Sequence, residues 1–287
     1  MKNLIYLFQF LFIKILFSLI KILPFNIAKK ITSFFLRIIG KLTNANKTAM
    51  INCKFVFPHL DEITIKKIVN ESWENIGITI CEVIKLNKLF QNNQIVLKGL
   101  KNIENLKKND QQAIFISIHQ SNWEVLVPAI DRLNIKIGAV YRHINNIFLD
   151  KMILNIRKNN LTSKKNFFTP KGRQSAKDLL EALNVGFSIL ILIDQKDSAG
   201  ENVLFFNKKV KTQMGFLKIA RKFNIPIIPI KNRRLNNGKI ELHFLDPIFH
   251  NNAKISDNLM MENIHKTIEN WIIANPKQWF WQHKRFN

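Results

Sequence analysis

The sequence predicts an α/β fold, a mixed and mostly parallel sheet flanked by helices, with a membrane-anchoring helix at the N-terminus. Three observations predict it. A long apolar run opens the chain. From residue 95 onward, short β-rich runs alternate with helical patterns. Those runs are continuously apolar rather than alternating, as in strands covered on both faces. With 287 residues, 47% of them hydrophobic, the chain can bury a sizeable core; it is too apolar for disorder and too polar for a polytopic membrane protein.

The opening run, Leu4 to Leu23, is interrupted only by Gln9, Lys14, Ser18 and Lys21. About 20 residues suffice to cross a bilayer as a helix. Lys14 and Lys21 are seven apart and share one helical face, which also suits a helix lying in the interface. A buried core helix is the non-membrane reading. A cleavable signal peptide fits less well, because the run is long and no small-residue site follows it. Lys29, Lys30, Arg37, Lys41 and Lys47 follow the run, against Lys2 before it. That bias holds the following body on the cytoplasmic side if the run spans, and favours anionic headgroups if it lies flat. The expected boundaries are an anchor at 1–23 and one body at 24–287.

Within the body a second apolar, basic helix is expected near Ile27 to Leu42. A long helix entered at Asp61 follows, with Trp73, Ile76, Ile80, Val83 and Ile84 on its apolar face. Strands are expected at Ile95–Leu97, Ala113–Ile118, Ile135–Val140, Ser188–Ile193, Ile227–Ile230 and Ile240–Phe244. Helices are expected at Asn146–Lys158, Arg173–Leu183, Thr212–Phe223 and Ile255–Ile273. Cys53 and Cys81 have no metal-type or CxxC spacing and read as packing residues. No glycine loop for a nucleotide is present, and nine glycines is a low count for a nucleotide enzyme.

The formal charge of +24 suits nucleic acid, anionic lipid or an acidic protein, although a general richness in Lys, Asn and Ile accounts for part of it. Lys and Arg are spread along the chain behind an apolar anchor, unlike the concentrated stripe of a nucleic-acid-binding module, so nucleic acid is not an expected partner.

The strongest chemical signal is AIFISIHQSNWE, where an apolar strand ends on His119 and a helix begins near Ser121 or Asn122. Functional residues of open α/β sheets gather at such strand ends. A turn between His119 and Glu124 would let the carboxylate fold back onto the imidazole and orient it as a general base. Taken singly, His119 reads as a strand-end histidine and Glu124 as a first-turn acid favoured by the helix dipole.

Four separated segments alter that balance: HQSNWE, AVYRHINNIFLDKMI, LILIDQKDSAGENVLFFNKKVKTQMGFLKIARK and NPKQWFWQHKRFN. Together they resemble the late acyltransferases of lipid A biosynthesis, the lauroyl/myristoyl enzymes of the lysophospholipid acyltransferase superfamily, over nearly the whole chain. The resemblance implies a glycerolipid-acyltransferase-like fold with an acyltransferase domain over residues 24–287. It implies His119 as general base and Glu124 as the residue that orients it. Gln120 and Ser121 depart from the family's usual HFGNWE, and His143 stands where proline is usual. Arg142 matches an arginine that binds anionic substrate or stabilises developing charge, and Asp194 an aspartate near the site. Arg173 is a weaker candidate for phosphate contact. The structural alternatives are an Arg142–Asp194 pair, a solvated Arg173 at a helix start, and packing roles for Trp279 and Trp281.

The implied reaction is acyl transfer from an acyl carrier protein thioester to a hydroxyl of an anionic, phosphorylated glycolipid, with no cofactor and no metal, at the cytoplasmic face of the inner membrane. A thioester is already activated, and histidine suits a base acting near neutral pH. A basic surface suits an acidic carrier and an anionic acceptor, and Lys208, Lys209 and Lys211 are the first choice for carrier docking. The closest rival is an acyltransferase acting on a lysophospholipid or another glycolipid, but TPKGRQS lacks the glutamate of the glycerol-phosphate block.

Overall fold

Helices fill the first third of the chain, and the sheet begins only at Ile95. The computed structural model describes residues 2–109, 111–163, 167–170, 172–250 and 255–286, and leaves the side chains of Lys2 and Arg173 undescribed. The leading helices are α1 (Lys2–Ile22), α2 (Phe25–Lys41), α3 (Asn44–Val56), α4 (Glu62–Ile84) and α5 (Leu86–Gln91). Then come β1 (Ile95–Lys98), α6 (Glu104–Lys108), β2 (Ile114–Ser117), α7 (Leu126–Asp131), β3 (Ile137–Tyr141), α8 (Ile147–Asn159), β4 (Phe167–Pro170), α9 (Arg173–Asn184) and β5 (Ser188–Leu192). A hairpin of β6 (Glu201–Phe205) and β7 (Lys208–Thr212) follows, then α10 (Gly215–Phe223), β8 (Ile227–Arg234), β9 (Ile240–Phe244), α11 (Asp257–Ala274) and a tail.

Seven strands form one sheet in the order β1-β9-β8-β2-β5-β3-β4. Neighbours are parallel except β8 and β9. All four residues of β2 are buried, as a central strand covered on both faces requires. Two apolar clusters lie against the sheet. One holds Ile114, Ile116 and Ile118 with Trp271, Trp279 and Trp281, the other Phe115 with Val125, Ile130 and Phe244. Cys53 and Cys81 are buried in the packing, where burial pushes their thiols up to about 12 and about 11, so neither ionises near neutral pH.

The helix from Asn3 to Ile22 is long and apolar enough to cross a membrane, and none of it is buried against the rest of the chain. Its lower end is tied to the body by Lys85, whose Nζ donates to the carbonyls of Lys21 (2.8 Å) and Leu23 (2.7 Å) where the helix leaves its last carbonyls unpaired. Higher up, Asn146 at the start of α8 donates to the Tyr6 carbonyl at 2.8 Å. Helix α2 continues the apolar surface, exposing Ile27, Ile31, Phe34, Phe35, Ile38 and Ile39. Its other face packs on α4 at close range: a Cβ at Gly77 would stand 2.5 Å from the Thr32 carbonyl oxygen.

Helix α4 starts as expected, with Asp61 accepting from the Thr64 amide at 2.7 Å. Its inward face departs from expectation. Ile76, Ile80 and Val83 are only partly buried, whereas Ser72, Asn75, Thr79 and Glu82 are buried. Those polar residues recur at helical spacing and form an inward stripe, for which the next section gives the reason.

One core contact makes a pH prediction. His265 on α11 is fully buried, donates from Nδ1 to the Leu204 carbonyl at 2.6 Å and lies 4.7 Å from the Phe205 ring. Burial pulls its pKa down to about 4. The unfolded chain therefore binds this proton more tightly than the folded one, so the stability is present above about pH 6.5 and is lost as pH falls toward 4. Asp194, held below the ordinary carboxylate range, acts only at lower pH. The thermal midpoint in detergent should fall between pH 6.5 and 4, reflecting roughly 3 kcal/mol from this group at most. His265→Gln should make that slope shallower, leaving the part due to His283, which burial also pulls to about 4; an unchanged slope in the folded variant would remove His265 from the account.

Candidate active site

The site is assembled where β2 and β5 end side by side. Their register pairs Ser117 with Leu192, so two residues further on His119 stands opposite Asp194. The pairing is completed by hydrogen bonds: the His119 amide donates to Asp194 Oδ2 at 3.0 Å, and the ring's Nδ1 meets Asp194 Oδ1 at 2.7 Å. Trp279 Nε1 donates a third bond to Oδ2 at 2.8 Å. Burial alone would raise the Asp194 pKa, but the adjacent His119 and these bonds outweigh it and hold the carboxyl below its ordinary range. An ionised carboxylate only accepts, so Nδ1 carries the proton and the neutral ring keeps its lone pair on Nε2. In this structure Nε2 faces the Gln195 amide at 3.3 Å.

The turn after His119 is held by α4, β8 and the tail. Ser121 adopts φ +53°, a conformation costly for a residue with a side chain. Its amide donates to the Gln278 carbonyl at 2.9 Å, and its carbonyl accepts from Asn75 (3.2 Å) and Thr79 (3.0 Å). The Gln120 carbonyl accepts from Asn232 at 2.9 Å. Asn122 caps the next short turn by accepting from the Glu124 amide at 3.1 Å, and its own amide donates to Glu82 at 3.0 Å. Glu82 is fully buried and is bound bidentately by Arg234 (2.6 and 2.8 Å), with Lys29 at 3.2 Å. The polar stripe of α4 thus faces inward because it holds the turn.

The expectation that Glu124 orients His119 is corrected here. Glu124 makes a bidentate pair with Arg157 on α8, at 2.8 Å from Nε and 2.6 Å from Nη2, while Asp194 takes the imidazole. The left-handed turn at Ser121 and the Asn122 cap set the course of the chain, and a single 3-10 turn from Trp123 to Val125 carries Glu124. Burial alone would lower the Arg157 pKa, but Glu124 raises it above its ordinary value, so the guanidinium stays charged. Arg142 is exposed just past β3 and makes no pair with Asp194, whose oxygens are taken by His119 and Trp279. Arg173 is the first residue of α9; its side chain lies outside the described residues.

The tail contributes more than packing. Phe280 donates its amide to the His119 carbonyl at 2.9 Å, and Gln120 and Trp279 form a β-bridge. The rings of Trp123 and Phe280 stand 5.2 and 6.2 Å from the imidazole and 5.8 Å from each other, giving the base an aromatic wall. Trp281 is fully buried and donates to the Pro276 carbonyl, a structural role as expected. His283, half-buried near the site, accepts from the Lys196 amide at 2.9 Å, and partial burial pulls its pKa to about 4. Arg157, Glu82 and Arg234 were missed from the sequence alone and the tail's tryptophans were read as packing, since each reaches the site through the fold. Among the described residues no group of His, Cys, Asp and Glu could hold a metal ion.

The arrangement can take a proton at Nε2, hold the resulting imidazolium against Asp194, and exclude water on the side of Trp123 and Phe280.

Comparison with known proteins adds to this geometry. The family model described as bacterial lipid A biosynthesis acyltransferase matches residues 1–287. No significant match to a curated protein is found. Among solved structures, the chain is similar to the 1-acyl-sn-glycerophosphate (LPA) acyltransferase from Thermotoga maritima at 14% identity, with a TM-score of 0.42, over 89% of this chain and 99% of that one.

Proposed function

We propose that this chain, which belongs to the bacterial lipid A biosynthesis acyltransferase family, moves a fatty acyl group from an acyl carrier protein thioester to a hydroxyl of a lipid A precursor, with His119 as general base. The observation that carries the mechanism is the chain of bonds Trp279 to Asp194 to His119, which leaves Nε2 as the ring's basic nitrogen at a strand end.

In the proposed step the acceptor hydroxyl displaces Gln195 from Nε2. As its oxygen attacks the thioester carbonyl carbon, Nε2 takes the hydroxyl proton and Asp194 stabilises the imidazolium. The tetrahedral intermediate carries its charge on the former carbonyl oxygen, where backbone N–H groups or Arg142 supply donors. Collapse breaks the carbon–sulfur bond, and the imidazolium returns the proton to the departing thiolate. Glu124 acts through Arg157, fixing the cation beside the turn rather than touching the base.

The apolar surfaces of α1 and α2 support a place in the membrane, with the flanking lysines and arginines favouring the cytoplasmic face of the inner membrane. Deleting Met1 to Leu23 should release much of the protein from membranes in fractionation, the exposed face of α2 retaining some. A full-length protein wholly soluble without detergent would contradict this.

Donor identity is tested by rates with matched acyl chains on carrier protein and on coenzyme A, read by mass spectrometry of the lipid product. The carrier thioester should be used faster, and added salt should lower that rate most at limiting carrier, since surface attraction is screened over about 10 Å at 0.1 M. Equal or better use of the coenzyme A thioester would refute the carrier assignment and leave acyl transfer standing.

A further inference from the structure

Past the strand end that carries Asp194 lies a cleft of about 310 Å³, lined by Lys196, Lys208, Lys209, Lys211 and Arg285 among others. None of its lining residues carries a carboxylate. The cations come from three separate segments: Lys196 from the loop after Asp194, three lysines from β7, and Arg285 from the tail. These segments are bonded together. The Asp197 amide donates to the Lys211 carbonyl at 3.2 Å, Arg285 Nη1 donates to the same carbonyl at 2.7 Å, and Lys208 Nζ donates to the Phe286 carbonyl at 2.6 Å. Lys209 and Lys211 are both exposed and share one face of their strand, as their spacing of two requires.

Arg285 distinguishes this cleft from an ordinary run of surface lysines. It is 1% exposed, its Nη2 donates to Thr212 at 2.9 Å, and its Nε has no hydrogen-bond partner. Among the described residues no carboxylate contacts the guanidinium. A buried cation without a contacting counterion is costly, and burial pulls this one down to about 10 even though Asp194 acts in the other direction. An anion seated in the cleft would offset that cost through charge-assisted hydrogen bonds.

We propose that this cleft is a phosphate-binding subsite of the enzyme. Several cations lining one recess suit a phosphate, with its several acceptor oxygens, better than a carboxylate. Its position suits the reaction: Lys196 is two residues past Asp194, so their Cα atoms are within about 7 Å, and the Lys196 amide is bonded to His283 at the site's edge. The inference rests on the proposed function only for the source of the phosphate, which belongs either to the glycolipid acceptor or to the phosphopantetheine arm of the donor.

The test uses full-length protein in detergent micelles. The double variant Lys209→Ala/Lys211→Ala is compared with Lys107→Ala/Lys108→Ala, which removes the same charge from exposed positions on α6. Isothermal titration with inorganic phosphate should show binding to the wild type and the α6 variant, and binding weakened about tenfold or more in the β7 variant. Kinetically, the β7 variant should raise KM about tenfold and by more than it lowers kcat, for one substrate only. A rise confined to the acceptor assigns the glycolipid phosphate, and one confined to the donor assigns the phosphopantetheine arm. Equal phosphate binding by both variants, or no change in either KM, would overturn the subsite. So would competition by carrier protein lacking its arm but not by inorganic phosphate, which would make the cleft a docking patch for an acidic protein. A wild type that transfers no acyl group would refute the proposed function, while the titration would still decide the cleft.

Discussion

Asp194→Asn is expected to lower kcat by about 10²–10⁴-fold while the protein remains folded and membrane-bound. The reason is the proton's position. Asp194 accepts from Nδ1, from the His119 amide and from Trp279 Nε1, and so leaves Nε2 as the basic nitrogen. An asparagine amide can present its own N–H to Nδ1 and reverse the tautomer, leaving a proton on the nitrogen that must accept one. It also removes the charge that stabilises the imidazolium. His119→Ala should fall as far, and the double variant little further, because residues acting as a unit are not additive. Circular dichroism and membrane fractionation would establish that the fold and attachment survive. Turnover of folded Asp194→Asn within about threefold of wild type would remove Asp194 from the mechanism.

The largest expected effect on stability is at Glu82. Glu82→Ala leaves Arg234, only 11% exposed in its side chain, and Lys29 without their shared carboxylate. Breaking a buried pair from one side costs about 3–5 kcal/mol, which in a chain of this size lowers the thermal midpoint by on the order of 10 °C. Replacing both partners, as in Glu82→Leu/Arg234→Leu, should recover much of that loss, since removing a whole buried pair is far milder than orphaning half of it. Activity should not recover with stability, because Asn122 still lacks the oxygen that fixes the turn. Recovery of both together would reduce Glu82 to a purely structural residue.

Much of the sheet was legible in the sequence because the strands covered on both faces are continuous apolar runs. Ile240–Phe244 is observed with the expected bounds, and Ala113–Ile118 and Ser188–Ile193 within a residue of theirs. The β6–β7 hairpin was not legible. Its turn places Phe206 and Asn207 at φ +48° and +59° without a glycine, so the usual hairpin signal is missing. Strand β4, four residues at the sheet edge, was too short to stand out. Helix α4 misled for a physical reason: its polar stripe faces inward to hold a turn, against the usual rule that polar residues face water.

At the site, His119 was found by its place at a strand end, and Asp194 by resemblance, but their pairing was not. Local reasoning joined His119 to the carboxylate five residues away. The true partner is 75 residues away and becomes adjacent only once β2 and β5 are known to be neighbours in that register. Arg157, 33 residues from Glu124, and Trp279, 85 from Asp194, were hidden in the same way.

The central claim is that Asp194, and not Glu124, sets the proton on His119. It is tested most directly by nitrogen-15 NMR of histidine-labelled protein at alkaline pH, with the His119 signals identified by their loss in His119→Ala. The account predicts a neutral ring protonated on Nδ1, with a strongly downfield Nδ1 proton, in the wild type and in Glu124→Gln, and loss of that signature in Asp194→Asn. A signature lost in Glu124→Gln and retained in Asp194→Asn would contradict it.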